Sequence, residues 1–292
     1  MDWLLAPLAY GFMQRGVLAG AIVGVLCAVI GCFVVLRSMA FIGDAMAHAV
    51  LPGVAVSYLL KGDLFVGALG AALAVALGIG AISRRGQVRE DSAIGILFAA
   101  ALALGVMLIS SMRTYAVDLS HILFGNVLGV SVRDLVLTGS AAAVVLAAVA
   151  LLYKELVLVS FDPVLAATLR LPAERLRLTL LVLLALTIVV SLQTVGIGLV
   201  SALLVTPAAT AHLLTRRLPR MMAIAAAIGV ASSVIGLYAS YYLDVASGAA
   251  IVLTATAFFL LAFLFAPVRG AAWRLVRQRP AGRRGGSAAT GV

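Results

Sequence analysis

The chain has 292 residues, 64% of them hydrophobic and 11% charged, with a net charge of +10 and a mean hydropathy of +1.20. Soluble domains run nearer to half apolar and a quarter charged, so a soluble globular protein is excluded and lipid must solvate most of this one. The arginine excess does not point to nucleic acid, because the basic residues stand in short clusters between apolar runs, with no basic face interleaved with aromatics.

The N-terminal Met1-Asp-Trp-Leu-Leu lacks the basic region and cleavage site of a secretory signal. A spanning helix takes about 20 mostly apolar residues. On that length the sequence predicts an all-α integral membrane protein, a polytopic bundle with spans near 10–35, 44–60, 63–82, 91–110, 133–153, 176–193, 198–214, 221–242 and 247–266. Arg37 interrupts the apolar run over 36–43, which leaves eight spans as an alternative to nine. Cys27 and Cys32 stand five apart in the first span and point in different directions, so packing is expected of them, not a disulfide or a shared metal site.

Basic clusters fall in alternate loops: Arg84, Arg85 and Arg89; Lys154, Arg170, Arg175 and Arg177; Arg216, Arg217 and Arg220; and six arginines from Arg269 to Arg284. The other loops carry only Lys61, Arg113 and Arg133. Positive loops stay cytoplasmic, which puts the C-terminus inside and, with nine spans, the N-terminus outside. A transmembrane domain is expected over 1–267, followed by a basic, Gly-, Arg- and Ala-rich tail over 268–292 that is expected to be disordered.

Two segments between spans carry structural signals. On the inside, Asp162 and Pro163 read as the cap and first residue of a short helix that Pro172 stops, with a second helix starting there. Such a helix, within a segment of about 160–175, suits docking into a groove of another protein, although an ordinary surface turn has the same pattern. On the outside, 111–132 is longer than a tight turn and contains Asp118 and His121, three apart, which fit either a solvated loop or a first contact for an arriving ion. Ile122-Leu-Phe is apolar enough to dip toward the membrane.

An ionisable group inside a span costs a few kcal/mol and calls for a functional explanation. The clear pair is Asp44 and His48 in Gly43-Asp-Ala-Met-Ala-His-Ala-Val-Leu-Pro-Gly53. Four residues apart, both lie on one helix face, among small residues that admit a close neighbour. Carboxylate with imidazole suits divalent first-row metals, and two copies of the chain would supply four ligands. Pro52 and Gly53 would bend the helix one turn further on. The pattern equally fits a capping Asp and a His bonded to a neighbouring carbonyl. Met46 points off this face; His212 reads as a satisfied interfacial His; Asp91 opens a span where it complements the helix dipole.

Two lysines, Lys61 and Lys154, are present and neither lies in a phosphate-binding loop, and no nucleophile-elbow or zinc-protease motif occurs. No catalytic residue or permanently bound cofactor is expected, and any ATP must be hydrolysed by another chain.

Several strings in order resemble the permease subunits of bacterial ABC importers for manganese, zinc or iron. They include Cys32-Phe-Val-Val-Leu-Arg-Ser-Met-Ala-Phe-Ile-Gly-Asp-Ala-Met-Ala-His-Ala-Val-Leu-Pro-Gly-Val-Ala, Asp91-Ser-Ala-Ile-Gly-Ile-Leu-Phe and His121-Ile-Leu-Phe-Gly-Asn. Further on come Phe161-Asp-Pro, Leu171-Pro, Ser191-Leu-Gln-Thr-Val-Gly, Thr206-Pro-Ala-Ala-Thr-Ala and Tyr241-Tyr-Leu-Asp-Val-Ala-Ser-Gly-Ala. The resemblance runs from about residue 17 to 266. It implies a homodimeric or pseudo-symmetric permease in the bacterial cytoplasmic membrane, two cytoplasmic ATPase subunits and an extracytoplasmic metal-binding protein. By the same resemblance Asp44 and His48 match the intramembrane metal pair, and Asp162, Pro163, Leu171 and Pro172 belong to the segment coupled to the ATPase. The wording of the His48 and His121 strings is closer to the manganese/iron branch than to the zinc branch. A secondary metal transporter or a channel without an ATPase is the alternative, disfavoured by the lack of an internal repeat and the sparse buried charge.

Overall fold

The computed structural model describes residues 6–84, 88–111, 127–161 and 163–265. Twelve α-helices follow one another: α1 (Gly11–Leu36), α2 (Ile42–Ala49), α3 (Leu51–Leu59), α4 (Leu64–Ser83), α5 (Glu90–Ser110), α6 (Val132–Leu151), α7 (Tyr153–Phe161), α8 (Pro163–Thr168), α9 (Ala173–Val195), α10 (Ile197–Leu214), α11 (Leu218–Leu243) and α12 (Ser247–Phe265). Among the described residues they make nine spans, α2 and α3 together forming the second. The chain turns at Arg37, Ser38 and the residues up to Phe41, so the nine-span reading holds over the eight-span alternative. Asp118, His121, Asp162, the 122–124 stretch and the 268–292 tail lie outside the described residues.

α1 and α9 form the middle of the bundle. Each is 67% buried over its spanning window, against 22% for α5, α6 and α12, which ring the outside. With no hydrophobic effect between helices in lipid, close packing and interhelical hydrogen bonds must hold them. α1 meets α11 through small residues: a Cβ on Gly24 would lie 2.9 Å from the Gly229 carbonyl carbon, and Ser233 Oγ donates to the Gly20 carbonyl at 3.0 Å. Thr138 and Thr194 join α6 to α9 at 2.7 Å, and Cys27 meets Ser191 at 3.6 Å. Cys27 and Cys32 are both buried free thiols, as packing residues should be.

The second span is broken where the sequence suggests. Pro52 has no N–H to offer the His48 carbonyl, and the Val50 N–H turns to that carbonyl instead. The break is covered by α5, where Gly105 leaves only 2.9 Å between a notional Cβ and Leu51 Cβ. A broken backbone is tolerable in a bilayer only when buried in this way.

One feature of the basic end was not foreseen from sequence: α7 extends past the fifth span before α8 begins. α7, α8 and the start of α9 close over a small cluster of Val159, Ala166 and Leu176, flanked by Leu171. Phe161, Leu165 and Leu169 are exposed on the same segment. Arg37, read from the sequence as an interruption, is an anchor: it faces Glu90 at 3.5 Å while only 13% exposed. Burial pulls its guanidinium below the ordinary value and the Glu90 carboxylate opposes that pull.

A Cβ on Gly31 would overlap the Leu204 carbonyl oxygen, part of the backbone that cannot yield alone. Gly31→Ala is therefore expected to destabilise the bundle by about 1–3 kcal/mol, measured as a lower melting temperature of the detergent-purified protein. An unchanged melting temperature would show that α1 and α10 separate freely.

Candidate metal pair in the second span

α2 is an eight-residue helix whose place is fixed by α10. A Cβ on Gly43 would lie 2.6 Å from Leu204 Cδ2, so this glycine brings the helix against α10 and sets Asp44 beside Ser201. Ala45, Met46, Ala47 and Ala49 are buried on the far sides. Met46 is packing, as expected, and the Asp44–His48 face is the open one.

Asp44 Oδ1 and His48 Nε2 stand 3.7 Å apart, too long for a hydrogen bond. Two ligands bound at about 2.0–2.2 Å to one ion stand roughly 3–3.5 Å apart, so a small closure would let both hold the same cation. The single Ser201 hydroxyl proton is shared between Asp44 Oδ1 at 3.4 Å and the Ile197 carbonyl at 3.3 Å. The Phe98 ring, from α5, lies 5.9 Å from the imidazole and limits its tilt. His48 Nδ1 is buried without a hydrogen bond among the described residues.

Asp44 is 55% exposed and His48 27% exposed, on the surface of a single copy. Ser201 is the fifth residue of α10, about 6 Å from the start of that helix and about 20 Å from its end. The carboxylate therefore lies about one turn inside the α10 end of the bundle. The capping alternative fails here: Phe41 is the cap residue of α2 and no side chain caps it. No group of three or more His, Cys, Asp or Glu side chains comes together among the described residues, so one copy supplies a pair and no closed cage. His212 is half-buried in the last turn of α10, and Asp91 is exposed in the first turn of α5.

Sequence reasoning missed Ser201 and Phe98. A serine in an apolar helix is ordinary, and only the fold brings it to a partner 157 residues away in sequence.

A bundle of nine apolar spans among the described residues, each long enough to cross a bilayer, defines a multi-pass membrane protein. The profile of the ABC 3 transport family matches residues 9–266. The manganese transport system membrane protein MntC of Halalkalibacterium halodurans is 50% identical over 274 residues, covering 94% of each chain. MntC of Listeria monocytogenes is 48% identical, covering 92% of this chain and 96% of its own. A probable iron transport system membrane protein of Haemophilus influenzae is 40% identical, covering 92% of this chain and 98% of its own. A chain of PsaBC from Streptococcus pneumoniae in complex with Fab superposes with a TM-score of 0.83 at 38% identity, covering 95% of this chain and 99% of that one. The chain belongs to the ABC 3 transport family, as a membrane transport subunit and not an enzyme.

Because Asp44 is exposed and caps nothing, Asp44→Ala should change the stability of the purified protein by no more than ~1 kcal/mol, the size of a first-turn dipole contribution. A loss of several times that in a thermal melt would return Asp44 to a structural role.

Proposed function

We propose that this chain is the permease of a bacterial importer for a divalent transition metal, with manganese favoured and zinc or iron as alternatives. The observation that carries the reading is the 3.7 Å approach of Asp44 and His48 on the exposed side of a broken span. Carboxylate and imidazole suit all three ions, so the choice of manganese leans on the names of the MntC relatives.

A carboxylate 55% exposed on a spanning helix is costly wherever hydrocarbon would meet it. A second identical copy, packed with its own Asp44 and His48 across a two-fold axis, would cover it and raise the ligand count to four. Four ligands shared between two mobile copies bind the substrate ion well enough to admit it and loosely enough to release it. The ion arrives from an extracytoplasmic metal-binding protein, with Asp118 and His121 as candidate first contacts. ATP is hydrolysed by cytoplasmic subunits that dock on the α7–α8 segment, with Asp162, Pro163, Leu171 and Pro172 as the candidate coupling residues. The exposed Phe161, Leu165 and Leu169 suit that docking, since a groove takes apolar anchors. Alternating access follows as ATP-driven closure swings the bundle about the axis. The basic clusters put this end and the C-terminus in the cytoplasm. Family membership sets aside a secondary transporter or a channel.

In cells lacking their own manganese importers, the chain expressed with its ATPase and binding protein should take up Mn²⁺. Asp44→Ala and His48→Ala should each abolish uptake while the complex still assembles; uptake at wild-type rates in either would remove the pair from the pathway. Leu165→Asp with Leu169→Asp should instead cost about tenfold or more in ATPase affinity, read by co-purification, with unchanged recovery refuting the docking assignment.

A further inference from the structure

Away from the metal pair, the basic end of the bundle holds a second set of buried charges. Glu90, the first residue of α5, lies between two arginines: Oε2 is 3.5 Å from Arg37 Nη2, and Oε1 is 3.5 Å from Arg177 Nη1. Exposures of 13% for each arginine and 21% for Glu90 place the three side chains largely inside the protein. Arg177 is fixed by short bonds, 2.8 Å to Glu174 and 2.9 Å to the Gly80 carbonyl at the end of α4. Glu90 is not. Both its arginine contacts exceed the roughly 2.7–2.9 Å of a charge-assisted hydrogen bond. Glu90 Oε1, Arg37 Nη1 and Arg177 Nε are buried without a hydrogen bond among the described residues. A carboxylate shared loosely between two guanidiniums has a tighter arrangement available on either side.

The three helices that meet here each lead to the metal pair. Arg37 ends α1 and stands seven residues before Asp44. α5, which begins at Glu90, carries Phe98 against His48. α9, which carries Arg177, turns at Gly196 directly into α10 and Ser201 beside Asp44. Arg177 is also five residues past Pro172, where the α7–α8 segment ends. No other charged cluster among the described side-chain contacts joins those elements.

We infer that Glu90, with Arg37 and Arg177, is the ionic junction that carries movement of the ATPase-docking segment to the metal pair, its contacts changing between the two access states. The inference rests on the proposed permease function. Glu90 is a positioning residue: it touches neither ion nor nucleotide, and acts by setting where α1, α5 and α9 meet.

The test uses the complete complex, permease with ATPase, in proteoliposomes, with Mn²⁺-loaded binding protein added outside. Glu90→Gln should assemble and hydrolyse ATP, yet the Mn²⁺ taken up per ATP should fall at least tenfold, and hydrolysis should no longer rise when the loaded binding protein is added. Glu90→Asp should recover part of that response. A Glu90→Gln complex as tightly coupled as wild type overturns the junction. If Glu90→Gln leaves buried Arg37 without a carboxylate and fails to assemble, the variant with Arg37→Gln, Glu90→Gln and Arg177→Gln together removes all three charges. That variant, assembled and uncoupled, supports the inference; assembled and coupled, it overturns it. Failure of both variants to assemble makes the cluster a folding element and also overturns it. A wild-type complex that couples ATP to nothing overturns the functional reading itself, a result separate from any of these.

Discussion

The proposed site depends on how closely two stretches of backbone approach one turn of α10. Gly31 of α1 faces the Leu204 carbonyl, which leaves no room for a methyl group, and Gly43 of α2 faces the tip of the Leu204 side chain at 2.6 Å from a notional Cβ. The chain can therefore leave α1 at Arg37, turn back within five residues and press the short α2 against α10. From that contact follow the position of Asp44 beside Ser201, the burial of Met46 and the alanines, and the opening of one face of α2. A larger residue at Gly31 would hold α1 away from α10, and one at Gly43 would have to displace the Leu204 side chain. A shallow, small-residue interface in lipid is also what close packing requires where no hydrophobic effect draws helices together.

Charge is handled differently at the two depths. At the basic end the guanidiniums and carboxylates are buried together and nearly neutralise one another, the arrangement under which buried charge is tolerable. In the second span a carboxylate and an imidazole are left half open, paired at a distance neither attractive enough to close nor long enough to be indifferent. For stability alone, a packed apolar contact would serve as well as the buried set at the basic end.

The sequence made the spans legible because length and hydropathy are decided locally. Each boundary lies within about three residues of the expectation, and the second span's break is announced by Pro52, whose missing N–H is a property of one residue. The acid–imidazole pair was legible for the same reason, being four apart on one helix. What required the fold was everything contributed from a distance. Ser201 and Phe98 are unremarkable in their own helices. Glu90 looks like half of a first-turn acidic pair, and Arg37 like a break in an apolar run, until the fold sets them 3.5 Å apart. α7 was missed because Tyr153-Lys-Glu at its start reads as a loop between spans, whereas its apolar residues fold down onto α9.

Between α9 and α10 stands a single residue, Gly196, with φ 86° and ψ 164°, a backbone region open essentially to glycine alone. The corner has no slack. Two long helices joined through one fixed residue work as a bent rod: a push along α9 at its Arg177 end has no loop in which to dissipate. It must be delivered to the first turns of α10, and the first polar side chain it meets there is the hydroxyl of Ser201. A permease built on this corner has its lever arm length written into the helix itself, so inserting or deleting a turn of α9 would alter the stroke without touching a single ligand.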